Sequence, residues 1–507
     1  MKLRNITIGI RICLFFLFVG VSANAQQAKD KPNIIFLFAD DQCYNTVNAL
    51  GNKEIKTPNL DKMVEDGATF THAYNMGAWN GAVCAASRAM INTGRFVWRA
   101  YEVDGRQQEL VKREEMWGQL MQQAGYTTYM SGKWHVKAKP EQLFNKVVHM
   151  RKGMPSDNWK QFKAATKNLK SGEYNPEEYM PFGYNRSSNT EKEDWKPWDK
   201  SNGGYWEEGK HFSEILGDDA IDFIDEAKSK DEPFFMYLAF NAPHDPRQSP
   251  KEFVDMYPLD QLSVPETFIP EYPYKDKIGC GQTLRDEALA PFPRTEAAVK
   301  THKQEYYAII THLDQQIGRI MKALEESGKL DNTYIFYTAD HGLAMGNHGL
   351  LGKQSMYDHS MRAPLFVIGP DVPKNKKFDV DVYLQDIMAS TVDLAGIPKP
   401  EYIEFNSLMP IVRGEQKKSS YDAIYGCYQI NLQRMIRKDG YKLIVYPQAK
   451  TVLLYDLEKD PKEMNDISKE KKNSKKVKKL FADLVKLQEE MDDPLDLVKL
   501  FPQYINK

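Results

Sequence analysis

Several residues able to do chemistry recur at one kind of position in this chain, the end of an apolar run. Asn33-Ile34-Ile35-Phe36-Leu37-Phe38-Ala39 stops at Asp40-Asp41, and Tyr126 to Met130 is followed by Gly132-Lys133-Trp134-His135. Pro233 to Phe240 leads into Ala242-Pro243-His244-Asp245-Pro246-Arg247, and Thr333 to Thr338 leads into Asp340-His341-Gly342. Apolar runs of this length suit parallel strands covered on both faces, and open parallel sheets bind ligands beyond their carboxyl ends. Three carboxylates brought together there demand a cation, and hard oxygen donors suit Ca²⁺ or Mg²⁺. Lys133, Lys353 and Arg88 in the same crevice demand an anion. Cys84 opens a helix-forming run, with Arg88 one turn further along the same face, so that its thiol sits at the positive end of the helix dipole. A lone cysteine at a helix start is more often a small buried thiol, and only the surrounding charges argue for a nucleophile. A metal and cations around an activated nucleophile fit transfer of a tetrahedral oxyanion group.

The elements that must position these groups alternate strand and helix, which predicts a large doubly wound α/β domain with a mixed, mainly parallel sheet and helices on both faces. Helices are expected at Thr57 to Gly67, Glu114 to Ala124, Phe212 to Ala227, Glu305 to Glu325 and Leu384 to Ala395, and a further strand at Ala363 to Gly369. His312 and Asp314, on the long helix, are expected near one end of the crevice. From about Tyr421 the pattern changes to short alternating strands: Ala423 to Tyr428, Leu432 to Arg437, Lys442 to Tyr446 and Thr451 to Asp456. A basic helix, Ser474 to Met491 with Ser474 as N-cap, follows. The domain reading is residues 1–25 as a signal peptide, 26–415 as the catalytic α/β domain and 416–507 as a small α+β subdomain with an antiparallel sheet.

Lys2, Arg4 and Arg11 precede the apolar run Ile12 to Val21, and Ala23-Asn24-Ala25 forms a small-residue cleavage site. Export is therefore expected, to a periplasmic, secreted or cell-surface location. The formal net charge of -2 becomes more negative when that basic leader is removed, which excludes a nucleic-acid binder on global charge. No later run is long and apolar enough to predict a membrane span. Cys43, Cys84, Cys280 and Cys427 are widely spaced and form no C-x-x-C pair, so at most one bridge is expected. Residues 137–210 read as an insertion over one end of the sheet, with Trp159, Trp195, Trp198, Trp206, Tyr174, Tyr179, Tyr184 and Tyr205. Aromatics among polar groups suit stacking on sugar rings, and equally the packing of a long loop.

Cys84-Ala85-Ala86-Ser87-Arg88 with Thr93-Gly94-Arg95 resembles the signature of the formylglycine-dependent (type I) sulfatases of the alkaline-phosphatase-like superfamily. The strand-end motifs, Gly352-Lys353 and the tail Leu454-Tyr455-Asp456-Leu457-Glu458-Lys459-Asp460-Pro461 match that family in order, over nearly the whole mature chain. Ala86 stands where the commonest core has proline, which bears on the maturation enzyme that acts. His341 stands where many relatives have Asn.

The resemblance implies that a formylglycine-generating, sulfatase-maturating enzyme oxidises Cys84 to formylglycine, which hydrates to a gem-diol. Asp40, Asp41, Asp340 and His341 would hold the cation, with the residue-84 oxygen as a further ligand. Arg88 would help lower the pKa of a diol hydroxyl and Asp340 would take its proton. Lys133 and Lys353 would grip sulfate oxygens, His244 would act as general acid, and His135 would help to expel sulfate. Asp245 and Arg247 are candidate substrate contacts beside His244, with a loop ion pair as the ordinary alternative. Trp79, His348 and His359 are candidates for support or plain packing. The implied activity is hydrolysis of sulfate monoesters, with a sulfated carbohydrate as partner. The alternatives are a formylglycine phosphodiesterase or phosphonate monoester hydrolase, and a non-catalytic protein that captures sulfated glycans.

Overall fold

The computed structural model describes residues 31–151, 153 and 196–505. The leader and most of the aromatic insertion, including Trp159, Trp195, Tyr174, Tyr179 and Tyr184, lie outside them. Asn33–Ala39 is buried at every position and pairs in parallel with Phe234–Ala239 on one side and Thr333–Ala339 on the other. Across the main sheet the strands run Arg362–Ala363, Ala68–Tyr74, Leu365–Ile368, Thr333–Ala339, Asn33–Ala39, Phe234–Ala239, Thr127–Lys133 and Lys146–Arg151, with Lys376–Tyr383 also paired to Ala68–Tyr74. The register aligns Ala39 with Ala339 and both Phe38 and Gly132 with Ala239, so the four central strands end at one edge.

Alternation within the strands decides what covers each face. Phe36, Phe235 and Tyr237 meet Trp117 of the helix Trp117–Gln123. Tyr129, in register with Met236 and hence on the opposite face from Tyr237, meets Phe223 of the helix Phe212–Lys228. Burial on both faces explains why these strands are nearly continuous apolar runs rather than alternating ones.

A second sheet orders Thr451–Asp456, Tyr441–Tyr446, Gln433–Lys438 and Ile424–Tyr428, and its last strand is Gly77–Ala78, from a distant part of the chain. Gly77 is obligatory there: its φ is +92°, and a Cβ would meet the Cys427 carbonyl at 1.8 Å.

The structure differs from expectation in several places. Ala68–Tyr74 and Lys376–Tyr383 are strands that periodicity does not reveal, the latter because an edge strand carries charges. Lys146–Arg151, inside the expected insertion, extends the main sheet. The long helix begins earlier, at Glu296, and its His312 and Asp314 serve packing rather than the crevice. His312 faces Glu214 at 3.3 Å, and Asp314 accepts from the Leu60 amide at 2.7 Å and the Asn59 side-chain amide at 2.8 Å, at the start of Pro58–Asp66. Ser474 is the first helical residue, Asn473 being the cap. Cys43, Cys84, Cys280 and Cys427 are all free and buried.

Candidate active site

The aligned strand ends deliver the expected residues to one place. Asp40 follows Ala39 and donates its amide to Ala242 O at 3.1 Å; Asp340 follows Ala339 and donates to Ala39 O at 3.2 Å. Asp41 turns the chain at φ 69°, and its carbonyl accepts from Tyr306 on the long helix at 2.5 Å. Its amide donates to Asp340 Oδ1 at 3.1 Å. Gly132, at φ +98° with a would-be Cβ 1.9 Å from Ala239 O, lets the strand end closely packed before Lys133. The helix Val83–Thr93 places Cys84 in its first turn and Arg88 one turn on, both buried.

Burial of so many charges is costly unless each is paired. Lys133 pairs with Asp40, and Lys353 reaches both oxygens of Asp41 at 2.8 and 2.9 Å. Arg88 donates from Nε to Asp340 Oδ2 at 3.0 Å and from Nη1 to the Lys133 carbonyl at 2.8 Å, with its guanidinium 4.5 Å from the Phe38 ring centroid. The two lysines thus sit on the acids, where they supply counter-charge. Cys84 Sγ lies 3.3 Å from His135 Nδ1. Burial opposes a thiolate, but Lys133, His135 and Lys353 outweigh it and hold the Cys84 thiol well below its usual range.

The donor set fits a divalent cation. One donor atom each from Asp40, Cys84, Asp340 and His341 lie within 4.8 Å of one another, as do donors from Asp40, Asp41 and His244. Asp40 Oδ1 and His341 Nε2 are buried without a hydrogen-bond partner. His341 donates from Nδ1 to Gly342 O at 2.8 Å, which leaves Nε2 facing Asp41 Oδ1 at 3.1 Å and Asp340 Oδ1 at 3.5 Å. Burial opposes a charged His341, yet Asp340 and Asp41 raise it to about 9. A nitrogen lone pair between two carboxylates calls for positive charge, as a proton or a metal.

His244, Asp245 and Arg247 all have protein partners in this structure. Burial, then Lys353, Arg285 and Lys133, hold His244 well below its usual range. It donates from Nδ1 to Asp245 O at 2.6 Å and accepts at Nε2 from Arg285 at 3.3 Å. Asp245 is buried and ion-paired to Arg285. Arg247 points away, donating to His302 Nδ1 at 2.7 Å. Trp79, His348 and His359 are packing residues: Trp79 lies against Tyr101, and His348 stacks on Tyr357 with centroids 4.0 Å apart and near His359 at 5.4 Å. Of the insertion, the described Tyr205 and Trp206 are buried against His211. Arg285, which bridges Asp245 and Asp286 beside His244, was not visible in sequence because it lies in an aperiodic, Pro-rich loop.

Acids that call for a cation, cations that call for an anion and a thiol held low, all at the ends of parallel strands, define a hydrolase for an anionic ester. The Sulfatase family profile matches residues 32–397, and the profile for the N-sulphoglucosamine sulphohydrolase C-terminal region matches residues 346–490. An arylsulfatase of Clostridium perfringens is 31% identical over 497 residues, covering 93% of this chain and 98% of that protein. An N-acetylglucosamine-6-O-sulfatase of Bacteroides thetaiotaomicron is 26% identical, covering 94% of this chain and 90% of its own. A solved structure in complex with its substrate D-glucosamine-2-N,6-O-disulfate superposes with a TM-score of 0.67 at 24% identity, covering 91% of this chain and 98% of that one. A phosphonate monoester hydrolase from Silicibacter pomeroyi gives 0.68 at 18%, covering 91% and 96%. The last two establish the fold alone. The chain belongs to the sulfatase family, in the alkaline-phosphatase-like superfamily, and is a sulfuric ester hydrolase. That membership implies a formylglycine side chain and a divalent metal.

Proposed function

We propose that this protein is an exported sulfatase that removes sulfate from sulfated carbohydrate, using formylglycine made from Cys84 by a sulfatase-maturating enzyme. The observation that carries the reading is the position of Cys84 Sγ among donors of Asp40, Asp340 and His341, all within 4.8 Å. Asp40, Asp41, Asp340 and His341 would hold Ca²⁺, the three carboxylates favouring it over softer metals, with Mg²⁺ the nearest competitor. The cation supplies Lewis-acid polarisation when bound, and formylglycine supplies a hydroxyl nucleophile that can release sulfate by returning to the aldehyde.

The chain's own residues do the rest. Arg88, locked by Asp340 and the Lys133 carbonyl, fixes positive charge beside residue 84. Lys133 and Lys353 have ammonium groups already in the crevice and exchange an aspartate oxygen for sulfate oxygens as charge develops. His135, within 3.3 Å of the residue-84 side chain, takes a proton from it. His244 delivers a proton to the leaving oxygen, bound sulfate offsetting Lys353, Arg285 and Lys133, which add to burial in lowering its pKa. Asp340, with a donor atom within 4.8 Å of the Cys84 donor, is the further candidate base. Burial opposes its charge, but His341, Arg88 and Lys133 outweigh it and hold the carboxyl well below the usual range.

Carbohydrate as the substrate class rests on the N-acetylglucosamine-6-O-sulfatase relative. The deciding experiment assays matured enzyme on an aryl sulfate, an aryl phosphodiester and a panel of sulfated monosaccharides. Fastest turnover on a sulfated sugar supports the reading. Faster turnover of the diester replaces it with the phosphodiesterase or phosphonate hydrolase alternative. An unmodified Cys84 thiol in protein from the native host replaces it with a non-catalytic glycan binder.

A further inference from the structure

One buried carboxylate close to the site has no part in the chemistry above. Glu287 is fully buried, on the turn Glu287–Leu289. Its carboxylate accepts the amide of Leu351 at Oε2, 3.0 Å, and that of Gly352 at Oε1, 2.9 Å, and pairs with Arg294. Arg294 donates in turn to Glu287 O at 2.8 Å and Gly349 O at 3.2 Å. The pair therefore grips the segment Gly349–Gly352 at both ends, and Lys353 is the next residue. Gln354, on the far side of Lys353, accepts the Lys353 amide at 3.0 Å and donates to Asp286 and, at 3.2 Å, to Gly81 O. The residue before Asp286, Arg285, touches His244. Three consecutive side chains, Arg285, Asp286 and Glu287, thus hold the leaving-group histidine and both flanks of the sulfate-side lysine. Gly352 has no room for a side chain: a Cβ would lie 2.5 Å from Gln354 Oε1, 2.8 Å from Asp286 Cβ and 2.9 Å from Glu287 Oε1.

A buried ion pair that merely ties two loops together is the ordinary interpretation of Glu287 and Arg294. Its target argues for more, because the two amides held are those immediately preceding Lys353, and Lys353 itself is wholly enclosed. We propose that Glu287 is a positioning residue for the reaction, setting the backbone from which Lys353 presents its ammonium to the sulfate. This inference rests on the reading of Lys353 as a sulfate-holding group.

A double-mutant cycle tests it in full-length enzyme, with activity expressed per formylglycine measured by mass spectrometry. In the native background Glu287→Gln is expected to lower kcat/KM for an aryl sulfate by about a hundredfold, the order expected for a displaced reacting group. In the Lys353→Ala background the same change is expected to cost less than about threefold, because the residue it acts through is gone. Inhibition by inorganic sulfate should weaken in parallel in the first background only. Gly352→Ala, which presses on the same contact without removing a charge, should repeat the pattern and serves if Glu287→Gln fails to fold. Equal losses in both backgrounds overturn the inference and leave the role of Lys353 standing. A Lys353→Ala enzyme as active as the native one overturns the role of Lys353 itself.

Discussion

Arg88 binds Asp340 from one helical turn beyond Cys84, Nε to Oδ2 at 3.0 Å, with both side chains fully buried. The contact joins the helix that carries the nucleophile position to the strand end that carries a metal-type donor. Arg88→Lys keeps the charge but loses the planar fork that also holds the Lys133 carbonyl. The expected cost is about 2 kcal/mol of folding stability, the order of a lost hydrogen bond involving a charged group. A fall in turnover on an aryl sulfate accompanies it, and thermal unfolding together with steady-state kinetics measures both.

Cys84→Ala should leave the fold intact, because a small side chain at the first turn of Val83–Thr93 is already well tolerated by the neighbouring alanines. Turnover should vanish. Peptide mass spectrometry of the native protein should show the aldehyde at position 84, and circular dichroism of the variant should match the native spectrum.

Chelation with EDTA should abolish activity and lower the melting temperature, since Asp40, Asp41 and Asp340 are buried together and share one set of counter-charges. Restoring Ca²⁺ at a hundredfold excess over its Kd should return about 2.7 kcal/mol of stability. Asp41→Asn should weaken that response, and titration of melting temperature against Ca²⁺ and Mg²⁺ reads out the preferred ion.

Acid should destabilise the fold through its buried histidines. Burial lowers His348 from 6.5 to about 4, against the hydrogen bond its Nε2 donates to Glu463 O at 3.0 Å. A histidine depressed in the fold is neutral there while the unfolded chain takes up a proton, so its contribution is complete above about 6.5 and is lost as pH falls toward 4. His211 and His359 are shifted in the same direction, again by burial first. His348→Gln keeps a donor for Glu463 O without the titration. Melting temperature followed between those two pH values should therefore fall less steeply in the variant, by roughly 3 kcal/mol at most for this one group.

Legibility in the sequence followed how local the cause of each structure is. Asp40, Lys133, His244 and Asp340 could be placed because a strand ends at or within a few residues before each of them, and parallel pairing aligns those ends. Lys376–Tyr383 could not, because an exposed edge strand tolerates the charges that make it resemble a loop. His312 and Asp314 were misplaced because helical spacing gives the face on which a residue lies but not what that face meets; here it is Glu214 and the start of Pro58–Asp66. Arg285 and Glu287 owe their positions to ion pairs and to amides many residues away, a kind of order that leaves no periodic trace. The lowered pKa of His244 comes from burial first and then from several charges at once, which no motif encodes.

Gly77–Ala78 completes the second sheet by pairing with Cys427–Tyr428, and the helix holding Cys84 begins a few residues after it. The chain just before that helix is therefore tied to strands from far later in the polypeptide. In the finished fold Cys84 itself is 3% exposed. During synthesis Gly77–Ala78 emerges long before Cys427–Tyr428 exists to pair with it. The second sheet can therefore close only after nearly the whole chain has been made.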